Sequence, residues 1–456
     1  MPLRSQQLLF TKIVSQVLPL YCLLLLTACH SSRKLLQKKQ ASLRTYLQQS
    51  AVFNQGFTGF LLYDPQSRQS IYEVHADRHF TPASNTKILT LYLCTEVLGD
   101  SIPALQYYSQ NDSLFFWGTG DPSFLNPYLP EHNKVLRFLQ ARPERVLLFS
   151  SHNFQDQHFG AGWAWDDYYY DYQAEKSPFP IHGNIVRFSK KAQQTTFSVQ
   201  PTFFSNLLQH RDSFGGKGNQ IIRDTERNIF HFHREKATAY RIERDIPFKY
   251  GDTLLISLLQ KELPQEVALS PYQAMPPADR QTLMSLPSWQ LYQQMMHASD
   301  NFVAEQLLLL CAHQLSDTLS VQKALDYAHK NLFTGSVRPR WRDGSGLSRY
   351  NLLSPRTTVA VLEKLYRKIP SQKLWQIFPA GGQSGTIKDW YGRGDGQVFV
   401  YAKTGSLSHV HCLSGYLLTS SGKTLIFSFM HNNFPGSSRP YKQEMERVLR
   451  QIYLDF

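Results

Sequence analysis

Apolar and polar residues alternate along several short segments, a pattern typical of β-strands buried on one face. Two such segments, 59–64 and 70–74, flank a polar turn and predict a β-hairpin. Near the C-terminal end the same pattern predicts three more strands, at 397–402, 412–419 and 424–430. Lys403-Thr404-Gly405 follows the first of these, and we expect it to end that strand with a turn at the glycine.

Apolar residues also recur at helical spacing. One predicted helix begins near Ser84, with Pro82 in its first turn, and two more meet at the polar junction 298–301. Further helices are predicted at 320–332, 354–369 and 441–453. Between about 100 and 285 the pattern changes to short β-like runs separated by Gly, Pro and Asp. This change predicts a separate, mainly β insertion.

Composition narrows the class of protein. The chain has 456 residues, of which 42% are apolar and 18% charged, which indicates a globular protein of two or three domains, or one domain with a large insertion. The net charge of +13 comes from scattered Lys and Arg without a nucleic-acid-binding motif, so we expect no nucleic-acid partner. His231 and His233 have no third ligand nearby, and we predict no metal or cofactor.

The first 28 residues have the pattern of an export signal. Basic residues precede an apolar stretch that is interrupted by Pro19 and is too broken for a membrane span. The segment ends Leu26-Thr27-Ala28-Cys29, which resembles a bacterial lipoprotein processing box. The resemblance implies cleavage before Cys29 and lipidation of that cysteine, and therefore a periplasmic protein tethered to a membrane by its acyl chains. An ordinary secretory cleavage site with an incidental cysteine remains the alternative.

Of the other cysteines, Cys94, Cys311 and Cys412 lie in apolar stretches. Three cysteines cannot all pair, and their spacing fits no metal motif. We expect buried free thiols.

Three short motifs, in order along the chain, point to serine chemistry. Ser84 and Lys87 are three residues apart at a helix start, where they share one face, so the amine can reach the hydroxyl. A serine hydroxyl becomes a good nucleophile only when a neighbouring base takes its proton. Ser299-Asp300-Asn301 then lies between two helices, and Lys403-Thr404-Gly405 lies on a strand. This set is the signature of penicillin-binding proteins and class A β-lactamases.

The chain resembles the penicillin-binding protein 4 type of D-alanyl-D-alanine carboxypeptidase/endopeptidase, the S13 peptidases. The long interval between Lys87 and Ser299 fits that family, as do the stretches 118–122, 162–167, 299–306, 343–348 and 385–388. The resemblance implies an α/β (α+β) fold, with an antiparallel sheet flanked by helices as in DD-peptidases and β-lactamases. Residues 29–99 and 286–456 would form this catalytic domain, and 100–285 the inserted one.

The resemblance also assigns roles to the motif residues. Ser84 would be the nucleophile that forms an acyl-enzyme and Lys87 its general base, with a pKa lowered both by burial and by the charge of Lys403. Ser299 would relay the proton to the leaving amine. Asn301 would offer its amide to the substrate backbone.

The remaining assignments concern binding of the substrate. Lys403 and Thr404 would hold the terminal carboxylate, and Gly405 would permit close approach of the backbone. The backbone N–H groups of Ser84 and Ser406 would form the oxyanion hole. Asp167, in the aromatic loop of the insertion, would meet the cationic end of the peptide stem.

The expected substrates are peptidoglycan stem peptides. Carboxypeptidase activity would cleave D-Ala-D-Ala, and endopeptidase activity would cleave D-Ala–diaminopimelate cross-links, with β-lactams as covalent inhibitors. Two alternatives stay open: a serine β-lactamase and a non-catalytic murein-binding lipoprotein. A Glu-x-x-Leu-Asn segment of the class A type is absent from the sequence, which argues against the first. The intact Ser84, Lys87, Ser299, Asn301 and Lys403 argue against the second.

Overall fold

Two five-stranded sheets dominate the computed structural model; the first separates two apolar cores, and the second packs on a third. The structure describes residues 37–130, 132–194, 196–211, 221–232, 241–271, 278–335 and 338–456. Cys29 and His233 lie outside these residues.

The first sheet is antiparallel and joins both ends of the described chain. Its strands, in spatial order, are β14, β15, β16, β1 and β2. They span β1 Phe57–Asp64, β2 Gln69–Val74, β14 Val400–Leu407, β15 Val410–Leu418 and β16 Thr424–Asn432. The predicted hairpin and the two last predicted strands are thus confirmed.

Helices cover both faces of this sheet. They are α1 at 37–48, α2 Lys87–Val97, α5 Ser288–His297, α6 Asn301–Ser316, α7 Val321–Asn331, α8 Pro355–Lys368, α9 Ser371–Ile377 and α10 Arg439–Asp455. Successive side chains of a strand point to opposite faces. Accordingly, Phe60 and Leu62 pack into a core with α1 and α10, whereas Leu61 packs into the core that contains α2, α5, α6 and α8. The predicted helices are confirmed, and α9 is an additional one.

The second sheet lies within residues 101–287 and is mixed. It has the order β12, β5, β4, β3, β13, and β5 pairs in parallel with both β4 and β12. The strands are β3 Ser101–Gln110, β4 Ser113–Gly118, β5 Val146–Ser150, β12 Glu266–Leu269 and β13 Gln281–Pro287.

Two three-stranded sheets complete this region. They contain β6 Ile185–Lys190, β7 Ser198–Gln200, β8 Leu208–His210, β9 Ile221–Arg223, β10 Phe230–Phe232 and β11 Ile242–Pro247. Two helices, α3 Lys134–Gln140 and α4 Asp252–Glu262, were not predicted. They pack their apolar faces, including Leu139 and Leu259, into the same core as the strands, so the region is less purely β than its sequence pattern indicated.

Two predicted boundaries were wrong. Strand β14 does not end before Lys403 but continues through Thr404 and Gly405, because β15 pairs with it along its whole length, with Gly405 opposite Cys412. The chain at Ser84 begins as a 3-10 turn, Ala83–Thr86, and becomes an α-helix only at Lys87. Pro82 therefore precedes the first turn and does not lie within it.

The three described cysteines are buried and free, as expected. The sulfurs of Cys94 on α2 and Cys311 on α6 are 3.7 Å apart, in the core between the two helices. Within the described ranges, no helix has the length and apolar character required to cross a membrane.

Candidate active site

Lys87 is a fully buried charged group of the site. It begins α2, and 0% of its surface is exposed. Its Nζ donates hydrogen bonds to Ser84 Oγ at 3.0 Å, to Asn301 Oδ1 at 2.6 Å and to the carbonyl oxygen of Ser345 at 2.8 Å. The 3-10 turn brings Ser84 to the amine, and the first residue of α6 brings Asn301. Three distant segments thus satisfy the three donors of one ammonium.

Burial lowers the pKa of Lys87 to about 8. The carboxylates of Glu305, Asp343 and Asp300 act in the opposite direction, because a negative charge favours the ammonium. Burial is the main cause of the lowered Lys87 pKa, and the expected charge interaction between Lys87 and Lys403 lowers the pKa of Lys403. An amine in this range supplies both protonation states near neutral pH, which is what a general base requires.

A second buried amine lies across the site on β14. Lys403 is 0% exposed and donates from Nζ to Ser299 Oγ at 2.9 Å and to the carbonyl oxygen of Thr404 at 2.9 Å. Burial, and secondarily the charge of Lys87, lower the pKa of Lys403 well below its ordinary value. Ser299 has a φ of 57°, a left-handed conformation that is uncommon for a non-glycine residue. It directly precedes Asp300, which caps α6 by accepting from the backbone N–H of Val303.

Gly405 allows β14 to lie directly against the 3-10 turn that carries Ser84. A Cβ atom at this position would be 2.4 Å from the carbonyl oxygen of Pro82 and 3.1 Å from the backbone nitrogen of Ser84. A hydrogen bond from Asn85 Nδ2 to the carbonyl oxygen of Lys403, at 2.9 Å, secures the same contact. The missing side chain of Gly405 is therefore what sets the spacing between the strand and Ser84.

These groups border a cleft of about 730 Å³. Of the predicted site residues, five line it: Ser84, Asp167, Ser299, Asn301 and Ser406. Lys87, Lys403 and Gly405 are buried beneath it. Thr404 is half-buried, and its Oγ1 donates to Thr386 Oγ1 at 2.8 Å. The exposed Ser406 places its Oγ 3.0 Å from His411 Nδ1.

The aromatic loop at 163–172, which lies between β5 and β6, forms part of the cleft wall. Like Asp167, Tyr172 lines the cleft. Its carbonyl oxygen accepts from Asn301 Nδ2 at 2.9 Å. Both ends of the Asn301 amide are thus occupied within the protein, by Lys87 and by Tyr172. The expected contact of this amide with substrate would have to replace or share the bond to Tyr172.

Sequence reasoning missed three groups of this site: the Ser345 carbonyl, Tyr172 and Glu305. Ser345 belongs to the stretch 343–348, which carries the family resemblance but has no reactive motif of its own. The high density of Tyr and Trp in 163–172 was the sequence feature that could have indicated Tyr172. Glu305 gave no signal beyond its place in the resemblance.

The chain matches the sequence profile of the D-Ala-D-Ala carboxypeptidase 3 (S13) family over residues 39–452. This chain belongs to that family. It is 24% identical over 431 residues to the D-alanyl-D-alanine carboxypeptidase DacB of Haemophilus influenzae, covering 82% of this chain and 85% of the relative. An S13 member is a serine-type D-Ala-D-Ala carboxypeptidase, so the family resemblance and the enzyme class inferred from the motifs are confirmed.

The fold agrees with the family. The crystal structure of penicillin binding protein 4 (dacB) from Haemophilus influenzae superimposes with a TM-score of 0.71 at 20% identity, covering 91% of this chain and 99% of that one. A structure of the same protein in complex with a β-lactam superimposes with a TM-score of 0.64 at 20% identity, covering 91% and 98%. The predicted mixed α/β fold, with antiparallel sheets and flanking helices, is confirmed.

Replacement of Gly405 by alanine should separate β14 from the 3-10 turn that carries Ser84, because the added methyl group would meet the Pro82 carbonyl. A displacement on the order of 1 Å can reduce a rate about a hundredfold, so we expect at least a tenfold slower release of D-alanine from a stem pentapeptide. Gly99→Ala is the matched control, since a Cβ there has nothing within 4 Å. Equal rates for both variants would contradict the spacing role of Gly405.

The pH dependence of acylation should report Lys87. Because the base must be neutral to take a proton, the rate constant should rise with pH through about 8 and level off above it. Stopped-flow acylation by a chromogenic β-lactam across a pH series measures this limb directly. A rate that is flat through that pH, or that falls as the pH rises through it, would exclude Lys87 as the base.

Proposed function

We propose that Ser84 is the nucleophile of this DD-peptidase and that it forms an acyl-enzyme with the stem peptide. The observation that carries the proposal is the 3.0 Å contact between Ser84 Oγ, on the cleft, and the buried Nζ of Lys87. A neutral Lys87 accepts the hydroxyl proton as the Ser84 oxygen bonds to the carbonyl carbon of the penultimate D-alanine. The resulting ammonium is held by Asn301 Oδ1 and the Ser345 carbonyl.

The leaving D-alanine needs a proton when its C–N bond breaks. Ser299 lies on the same cleft and accepts a hydrogen bond from Lys403 Nζ, so its own hydroxyl proton is free to point toward the substrate. We propose that Ser299 delivers the proton to the amine and recovers one from the Lys87 ammonium. Water then cleaves the ester, which releases the shortened peptide and restores Ser84.

Substrate binding follows from the same groups. Lys403 and Thr404 supply the cation and hydroxyl for the terminal carboxylate, and the edge of β14 at Gly405 and Ser406 accepts the extended peptide. The backbone N–H groups of Ser84 and Ser406 would stabilise the oxyanion, which is worth on the order of 3 kcal/mol per donor. Asp167, at the far wall of the cleft, would receive the cationic end of the stem.

We also propose endopeptidase activity on D-Ala–diaminopimelate cross-links and covalent inhibition by β-lactams. A cleft bordered by both the catalytic elements and the aromatic loop at 163–172 has room for a branched acceptor. The β-lactam complex of the Haemophilus influenzae protein supports the second point by analogy. Loss of dimeric muropeptides from purified cross-linked murein would distinguish endopeptidase from carboxypeptidase activity.

The domain division and the location of the protein are further proposals. We propose a catalytic domain of residues 29–99 and 286–456 with 100–285 inserted, which is supported by the separate core of residues between Ala104 and Val267. We also propose an exported lipoprotein, with a signal peptide at 1–28 and an acylated Cys29 that tethers it in the periplasm.

Labelling by a fluorescent penicillin tests the nucleophile. Purified wild-type protein should give a stable fluorescent band, and Ser84→Ala should abolish it because the hydroxyl that forms the ester is removed. Ser205→Ala, an exposed serine of the inserted region, is the control and should label normally. An unlabelled wild type would contradict the proposal and favour a non-catalytic murein-binding protein, whereas rapid release of hydrolysed penicillin would favour a β-lactamase.

Replacement of Cys29 by serine tests the anchor. The wild-type protein should fractionate with membranes and carry a mass increase from acyl chains on its N-terminal residue, and the variant should be exported without either property. A wild-type protein that is recovered from the soluble periplasmic fraction with a free Cys29 would show an ordinary secretory signal instead.

A further inference from the structure

The loop at residues 343–348 packs between two helices, α2, which begins at Lys87, and α6, which begins at Asn301. Gly344 packs so closely on α6 that a Cβ would be 2.4 Å from the Ala304 carbonyl oxygen, and its own carbonyl accepts from Thr90 Oγ1 of α2 at 2.7 Å. Gly346, with a φ of +88°, approaches the Ala83 carbonyl oxygen next to Ser84. The loop is thus fixed between the two helices that carry Lys87 and Asn301.

One residue of this loop, Ser345, connects Lys87 to a buried carboxylate. Its carbonyl oxygen accepts from Lys87 Nζ at 2.8 Å, and its backbone N–H donates to Glu305 Oε1 at 2.8 Å. Glu305 lies on α6, one helical turn after Asn301, which also holds Lys87. The two helix residues therefore reach the same amine, one directly and the other through Ser345.

Two buried carboxylates bind this loop: Asp343, its first residue, and Glu305 of α6. They differ in how many of their oxygens accept hydrogen bonds. Both oxygens of Asp343 are occupied: Oδ1 accepts from Gly346 and Asn351, and Oδ2 accepts from Ser348 and Trp163. Asp343 therefore has a complete structural role. Glu305 is 1% exposed, and its Oε2 has no hydrogen-bond partner among the described residues. A buried carboxylate with half of its acceptors unused is unfavourable for stability alone.

The charges around Glu305 indicate what it does. Burial and the neighbouring Asp343 raise the pKa of Glu305 to about 7, whereas the Lys176 ammonium, the Ser345 side chain and the Gly344 backbone favour its ionised form. Lys176 is itself paired with Asp156 at 3.0 Å. In turn, three carboxylates favour the ammonium form of Lys87, and Glu305 has a larger effect on the Lys87 pKa than Asp343 or Asp300. Lys403 is the other cation that interacts with Lys87.

We propose that Glu305 is a positioning residue for acylation: its carboxylate fixes the Ser345 peptide against Lys87, and its negative charge stabilises the ammonium that Lys87 becomes when it takes the Ser84 proton. The inference rests on the proposed role of Lys87 as the base. The negative charge of Glu305 makes Lys87 a stronger base, and as a consequence a larger fraction of Lys87 is protonated at low pH. Glu305 acts through Ser345 and touches neither substrate nor the reacting atoms.

The test is the pH profile of acylation by a chromogenic β-lactam, measured on the full-length protein and its Glu305→Gln variant. Glutamine keeps an oxygen for the Ser345 N–H but removes the charge. The acidic limb should therefore move to lower pH, by roughly half a unit to one unit, and the plateau rate should fall because the neutral amine is a weaker base. A role confined to packing would lower the rate at every pH and leave the limb in place, which would overturn the proposal.

Glu175→Gln is the matched control. Glu175 is also buried and accepts a backbone N–H, that of Tyr250, at 3.0 Å, but its charge is not among those that act on Lys87. The acidic limb of the pH profile of Glu175→Gln should coincide with that of the wild type. An equal shift of this limb in Glu305→Gln and Glu175→Gln would overturn the proposal.

Glu305→Asp gives a second test that does not depend on the folding of the glutamine variant. Aspartate retains the charge but withdraws it from Ser345 by one methylene group. Its plateau rate should fall while its limb stays close to that of the wild type, and a limb displaced as far as a full unit to lower pH would contradict the charge role. If the wild type itself is not acylated, the proposed function fails, whereas an acylated wild type with an unmoved limb in Glu305→Gln contradicts only the role of Glu305.

Discussion

The burial of one ammonium group constrains the whole catalytic half of this protein. An amine without access to water is tolerated only when its donors are satisfied, and Lys87 obtains its three acceptors from Ser84, Asn301 and Ser345. Ser84 is three residues before Lys87, but Asn301 and Ser345 lie more than two hundred residues after it, so the site exists only in the folded chain. Because water is excluded, the same arrangement lowers the pKa of Lys87 and makes it useful as a base.

Close backbone approach is the second requirement, and glycine provides it. Gly405 brings β14 to the 3-10 turn that carries Ser84, and Gly344 brings the loop at 343–348 against α6. The two buried lysines then contact different serines of the cleft: Lys87 contacts Ser84, and Lys403 contacts Ser299. The aromatic loop at 163–172 contributes Asp167 and Tyr172 to the lining of the cleft.

The sequence allowed prediction of the residues that meet at the cleft but only part of their surroundings. The motifs at Ser84, Ser299 and Lys403 have local signatures, and hydrophobic periodicity located most of the strands and helices around them. The end of β14 was misplaced because glycine usually marks a turn, whereas here pairing with β15 continues the strand through Gly405. Tyr172 and Glu305 acquire their roles through contacts formed only on folding, with Asn301 and with Ser345, which no local pattern encodes.

The most direct test of the account is to locate the acyl group after reaction with penicillin. Cleavage after Arg78 and Lys87 releases the peptide 79–87, in which Ser84 is the only serine. Tandem mass spectrometry of the trypsin-digested adduct should find the penicilloyl mass on this peptide, at Ser84. A penicilloyl group found instead on the peptide that contains Ser299, or spread over several surface residues, would contradict the central claim that Ser84 and Lys87 form the nucleophile and its base.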